Sequence, residues 1–162
     1  SCPRKFWNLS MNRCQPTLEL RRDIAREIRR HRPDVLICPY PMRTLDGGWG
    51  VGHPDHIAAG EAALSALFPT ARDHMSFPEL LEENLEPHKV AEAWIMGHPE
   101  PDHWVDVTEY LETSIRSLER HVSQVSNMDQ DRINQVMKDG RRERAKGRGM
   151  QYAESFKRII MK

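Results

Sequence analysis

Long apolar runs are scarce in these 162 residues. No stretch approaches the roughly 18 consecutive apolar positions of a membrane-spanning helix, which excludes a helical anchor within the chain. The opening SCPRKFWNLS has no apolar core of the kind a secretory signal needs. Cysteine is equally sparse. Cys2, Cys14 and Cys38 are odd in number, contain no CxxC pair and fall far below the density of a disulfide scaffold, so the expected compartment is reducing, hence the cytoplasm. Nor is there an excess of one charge. The 24 Lys and Arg residues balance 24 Asp and Glu residues, which removes the strong positive field expected of a chain whose main partner is nucleic acid. A neutral substrate is easier to accommodate. An initiating methionine is missing too, and Ser1 suggests that an original start lies upstream.

What the chain does contain is enough apolar material, 38%, for one domain with a modest core, beside a 30% charged share that solvates its surface. From Thr17 to His31, the positions of Leu18, Leu20, Ile24 and Ile28 predict an amphipathic helix capped by Thr17, with Arg and Glu on its other face. Pro33 ends it. The apolar run Val35 to Cys38 then predicts a short strand buried on both faces. A loop rich in proline and glycine follows, from Pro39 to Gly52, at the carboxyl end of that strand, where open α/β sheets place their ligands. Pro54 opens a second helix through IAAGEAALSAL.

Further on, Phe68 to Pro87 predicts loops with a short helix, while KVAEAWIM and WVDV predict two strands. Val107, Leu111, Ile115 and Leu118 form one stripe of a helix over Thr108 to Val125. The segment from Asp129 onward is charged and helix-prone, interrupted by Gly140, Gly147 and Gly149, and closes on YAESFKRII with aromatic and aliphatic anchors. The fold class expected is α/β.

Chemistry is concentrated in GHPDH. If the second helix begins at Pro54, His53 and His56 can face the same side of the loop mouth, a spacing able to serve a metal. The positive end of the helix dipole favours neutral imidazoles, and Asp55 is placed to orient one ring. Alone, an HxxH pair is more often a surface or capping feature than a site. The buried strand and glycine-rich loop before it, and the small-residue helix after it, change that balance.

Three segments, LRRDIAREIRRHRPDVLICPYP, GHPDHIAAGEAAL and WVDVTEYLETSIRSLERHVSQ, resemble the LmbE-like, or PIG-L, family of zinc-dependent N-acetylglucosaminyl deacetylases. The resemblance covers most of the chain, and HPDH is its most specific piece. It implies a Rossmann-like, mostly parallel sheet flanked by helices and incomplete at the N-terminus, with residues 1–162 as the C-terminal portion of a single deacetylase domain. It also implies that Zn2+, or another divalent metal, is held by a histidine and an aspartate of an early HPDD element together with His56. On the same resemblance His53 stabilises the tetrahedral intermediate or protonates the leaving amine, and Asp55 tunes it. Metal-bound water would attack the amide of an acetamido sugar, with an aspartate of HPDD as base.

Two departures matter. No HPDD element precedes Cys38, so two ligands and the base are absent from the chain, which is expected to bind metal weakly and to have little activity alone. Val51 stands where some members carry a tyrosine of the oxyanion site. Trp49 is a candidate for stacking on a sugar, and His121, by resemblance, a candidate substrate contact. A degenerate, non-catalytic module that binds carbohydrate or a protein partner is the alternative. Loss of a sheet-forming segment would leave an apolar edge prone to homo-oligomerisation. His98 and His103 read as turn residues, His31, His74 and His88 as solvated surface, and the basic run Arg141 to Arg148 as a solvated helix face.

Overall fold

The computed structural model describes residues 14–45, 52–125 and 129–162. It divides the chain into two compact units, Ser1–Glu100 with Lys157–Lys162, and Pro101–Phe156.

In the first unit, helix α1 spans Leu18–His31, and the Thr17 hydroxyl accepts a hydrogen bond from the Leu20 amide at 3.2 Å, the expected cap. Strand β1 follows at Val35–Pro39, then helix α2 at Pro54–Leu67, a single 3-10 turn at Thr70–Arg72, the short helix α3 at Glu79–Glu82 and strand β2 at Glu92–Met96. β1 and β2 pair in parallel, Val35 opposite Glu92 and Pro39 opposite Met96. Leu36, Cys38, Ala93 and Ile95 turn toward Ala25 and Ile28 of α1 and Ala63, Ala66 and Leu67 of α2, and Leu80 and Val90 complete this core. Burial there pushes the Cys38 thiol up to about 11, far from a reactive thiolate.

The second unit holds strand β3 at His103–Asp106, a 3-10 turn at Thr108–Tyr110, helix α4 at Leu111–Glu119, helix α5 at Val122–Val125 and helix α6 at Gln130–Ala145. Strand β4, Ala153–Ile160, runs antiparallel to β3 with His103 opposite Phe156. Among the described residues the sheet has four strands in the order β1-β2-β4-β3. Leu111, Ile115 and Tyr152 form the unit's own small core. Arg141 pairs with Glu154 at 2.8 Å, and the Arg148 guanidinium lies 3.8 Å from the Trp104 ring centroid, so part of the basic run is engaged within the unit.

Several local expectations are corrected. β1 is not buried on both faces: Cys38 is buried while Ile37 is 49% exposed, because among the described residues β1 pairs only with β2 and the helices cover one face. The helix expected over Thr108 to Val125 is divided near His121 into α4 and α5. α6 runs through Gly140 rather than stopping at it, anchored at its start by the Asp129 carboxylate, which accepts from the Asp131 and Arg132 amides at 3.0 and 3.3 Å. The arginines of α1 do not all face outward. Arg29 is only 2% exposed and reaches into the segment beyond α2. Its Nε donates to the Ala71 carbonyl at 3.2 Å, and its Nη2 is shared among the carbonyls of Thr70, Asp73 and Ser76 at 3.0, 2.6 and 3.0 Å. Burial lowers its pKa, and Asp73, Glu86 and Glu79 oppose that shift.

Two positions fix α2 and the loop beyond it. A Cβ at Gly60 would lie 2.3 Å from the Pro39 carbonyl oxygen and 3.3 Å from the Pro41 Cα, backbone atoms that cannot step aside cheaply. Gly60→Ala ordinarily gains about 1 kcal/mol inside a helix, but here overpacking reverses the sign. We expect a net loss of about 2 kcal/mol in urea unfolding. Arg29→Met removes the guanidinium donor from the Thr70, Asp73 and Ser76 carbonyls and is expected to cost about 3 kcal/mol in the same assay, with early proteolysis between residues 70 and 85.

Candidate active site

The carboxyl ends of two adjacent parallel strands create an opening wherever the chain leaves them in different directions. Here the Tyr40 amide donates to the Met96 carbonyl at 2.9 Å, extending the β1–β2 ladder by one bond before the strands part. Beyond it lies a cavity of about 280 Å³, close to the lower bound of roughly 300 Å³ typical of small-molecule sites. Pro39, Met96 and Gly97 form its strand-end side, Tyr40, Met42 and Thr44 the loop side, and Gly52, His53, His56 and Ile57 the side contributed by α2 and its entry.

Gly52 has φ +78°, the left-handed conformation that glycine adopts without strain, and turns the chain into the helix. His53 is then the N-cap, with extended backbone and Pro54 in the first turn. Its Nδ1 accepts a hydrogen bond from the Asp55 amide at 3.2 Å, and its carbonyl accepts from the His56 and Ile57 amides, each at 3.1 Å. A ring nitrogen that accepts an N–H carries no proton, so the neutral His53 ring holds its proton on Nε2 and is a donor there. His56 lies one turn on, with ring centroids 5.2 Å apart and planes tilted by 42°. Both imidazoles are exposed to the cavity mouth.

Asp55 is linked to His53 through its backbone amide, and its Oδ1 accepts from the Cys14 amide at 3.0 Å. Burial first, and the Asp55 charge second, raise the Cys14 thiol. The structure thus brings together His53, Asp55 and His56. Trp49 and Val51 lie outside the described residues. His121 belongs to the second unit, whereas every residue lining the cavity belongs to the first.

Sequence reasoning passed over Tyr40 and Met96. The signal for both was available, since each sits at the carboxyl end of a predicted strand, but no motif marks them. His98 was read as a turn residue. It does serve the turn, its Nδ1 accepting from the Glu100 amide at 2.9 Å, and its ring also meets Tyr40 edge-on, with centroids 4.7 Å apart at 71°.

Among the described residues, no group of three His, Cys, Asp or Glu side chains is placed to hold a metal ion. Catalytic zinc takes three protein ligands. The pair at the cavity mouth offers fewer, and the His53 nitrogen that caps the helix is already engaged. The described residues therefore do not fit a zinc ion by themselves. No helix among them is long and apolar enough to cross a membrane.

No protein-family model matches the chain. Among curated proteins, it is 28% identical over 108 residues to the diacetylchitobiose deacetylase of Thermococcus kodakarensis, an alignment covering 67% of this chain and 38% of the relative. It is 33% identical over 97 residues to a 1D-myo-inositol 2-acetamido-2-deoxy-alpha-D-glucopyranoside deacetylase of Catenulispora acidiphila, covering 60% of this chain and 27% of the relative. Among solved structures, the N,N'-diacetylchitobiose deacetylase of Pyrococcus horikoshii superposes with a TM-score of 0.76 at 20% identity, over 90% of this chain and 52% of that one. A 4-carboxy-2-hydroxymuconate hydratase of Pseudomonas putida shares the fold with a TM-score of 0.60 at 14% identity, over 90% of this chain and 60% of that one. The chain spans less than two thirds of the length of each. The chain is thus similar in sequence to sugar deacetylases over part of their length and shares the α/β fold of the deacetylase structure, a sheet flanked by helices.

Proposed function

We propose that these residues are the portion of a metal-dependent N-deacetylase that removes the acetyl group from an acetamido sugar conjugate of the N-acetylglucosamine type, in the cytoplasm. The observation that carries this reading is the unequal bonding of two histidines at one cavity mouth. His53 has its Nδ1 committed to the helix cap, which leaves Nε2–H as a hydrogen-bond donor for a carbonyl oxygen gaining negative charge; to protonate the departing amine the ring would first have to release the cap bond and take a proton on Nδ1. His56, the next ring along the helix, is assigned as one metal donor, with the other donors contributed from beyond the described residues. Asp55 joins the turn to the Cys14 amide and so holds His53 in its cap. The named activities of the curated relatives, on diacetylchitobiose and on an inositol-linked acetamido sugar, support the substrate class. The balance is that of amide hydrolysis, in which water adds to the acetyl carbon, the C–N bond breaks, and acetate and a free amine leave.

Among the described residues the donor set is incomplete, and the second reading is a carbohydrate-binding relative without turnover. Zinc titration of the purified chain, with elemental analysis, separates the two. For the deacetylase portion we expect weak, sub-stoichiometric zinc that His56→Ala abolishes and His53→Ala preserves. Tight stoichiometric zinc would show the donor set to be complete within these residues, and zinc binding unaffected by His56→Ala would remove His56 from the site. In a longer gene product containing these residues, acetate release from diacetylchitobiose is expected to fall by about 10²–10⁴ in His53→Ala. Absence of release from that product would leave the binding reading standing. As a folding control, His53→Ala is expected to lose about 1 kcal/mol through the cap, and His56→Ala less than about 0.5 kcal/mol.

A further inference from the structure

We propose that Tyr40 is the wall on which the pyranose ring of the substrate stacks, and that His98 is the positioning residue that sets the angle of that wall. The proposal rests on reading the cavity as an acetamido-sugar site, and it names the residue that selects a ring-shaped substrate there.

Three restraints fix Tyr40 at three different points. Its amide donates to the Met96 carbonyl at 2.9 Å, which pins the backbone to the neighbouring strand end. Its hydroxyl donates to the Met42 sulfur at 3.5 Å, which holds the far end of the ring. The His98 ring meets it edge-on, centroids 4.7 Å apart at 71°, the T-shaped arrangement that the aromatic quadrupole favours. His98 is itself held, because its Nδ1 accepts from the Glu100 amide at 2.9 Å. A ring that lines a cavity and is braced in this way loses little conformational freedom when a ligand settles on it. The same cavity is also lined by His53 and His56, whose imidazoles are polar groups suited to an acetamido substituent. One apolar aromatic face and one polar edge match a pyranose, which has a face of C–H groups and a periphery of oxygen and nitrogen. Met96 and Ile57 add apolar side chains to the lining, which suits an acetyl methyl. Sequence reasoning assigned stacking to Trp49, which lies outside the described residues; Tyr40 is an aromatic that the structure places in the cavity wall.

The test is binding of the methyl glycoside of N-acetylglucosamine to the whole 162-residue chain by NMR titration, with methyl glucoside as the control sugar and circular dichroism of every variant. We expect Tyr40→Ala to weaken binding about 10-fold and Tyr40→Phe to stay within about 2-fold of the wild type, because the ring face and not the hydroxyl makes the contact. His98→Ala is expected to weaken binding about 3-fold, His98→Phe to restore it, and His98→Ala to add nothing in a Tyr40→Ala background. Undiminished binding by folded Tyr40→Ala overturns the proposal, as does equal loss in Tyr40→Phe or the absence of sugar binding by the wild type. Additive losses in the double variant overturn the role of His98. Equal, Tyr40-dependent binding of both sugars would keep the stacking wall and sink the acetamido reading. Preference for the acetamido sugar that survives Tyr40→Ala would do the reverse.

Discussion

The close seating of α2 against the end of β1 is the constraint on which the site depends. With the Pro39 carbonyl where a Cβ of residue 60 would be, only glycine allows the helix axis to come so near the strand end. That proximity carries the N-terminus of α2, two turns earlier, to the cavity that opens beyond Pro39 and Tyr40. Small residues continue the same logic inward. Ala58, Ala62, Ala63 and Ala66 are buried along the helix, so much of its buried surface is made of methyl groups, with Leu67 adding the larger side chain. A larger residue at any of these positions would lift the helix and open the distance between the imidazoles and the strand ends.

Arg29 performs a different task on the same unit. The segment after α2 has little regular structure, and its carbonyls would be buried without partners. One guanidinium collects several of them, which lets an irregular loop pack beside α1 without a ladder of its own. The desolvation of a charge is offset by multiple acceptors and by acidic residues around the loop, the arrangement that buried arginine requires.

Much of this was legible from residues alone. α1, α2, β2 and β3 follow from apolar period, the Thr17 cap and Pro54, and HPDH marks the helix end beside the cavity because a cap and a candidate site occupy the same short stretch. β4 was not legible as a strand. Its sequence AESFKRII follows a charged, helix-prone stretch, and only Ala153 and Phe156 of its eight positions are buried, so the alternation that betrays a half-buried strand is weak. The exposure of β1 was hidden for the opposite reason. VLIC is apolar at every position, a pattern normally produced by burial on both faces, yet the described helices cover only one. Arg29 was hidden because helical period treats every arginine as solvent-facing, whereas its long side chain can cross to a neighbouring loop. Tyr40 shows the limit of motif reasoning, since its place in the cavity comes from a strand ending and a ladder bond, neither of which has a residue signature.

The fold by itself does not decide the reaction. The same α/β arrangement superposes on a deacetylase and on a hydratase, and open sheets of this kind host many chemistries at their strand ends. Under the proposed function, the local hydrogen-bonding pattern narrows the choice. Two histidines three residues apart at a helix start look equivalent in sequence, but the cap uses a nitrogen of the first and imposes its tautomer. On the proposed reading, a single turn of helix sets one ring as a hydrogen-bond donor beside another that would serve a metal. The distinction between their roles follows from where the helix begins, which in turn is set by Pro54 and by the glycine that lets α2 approach the sheet.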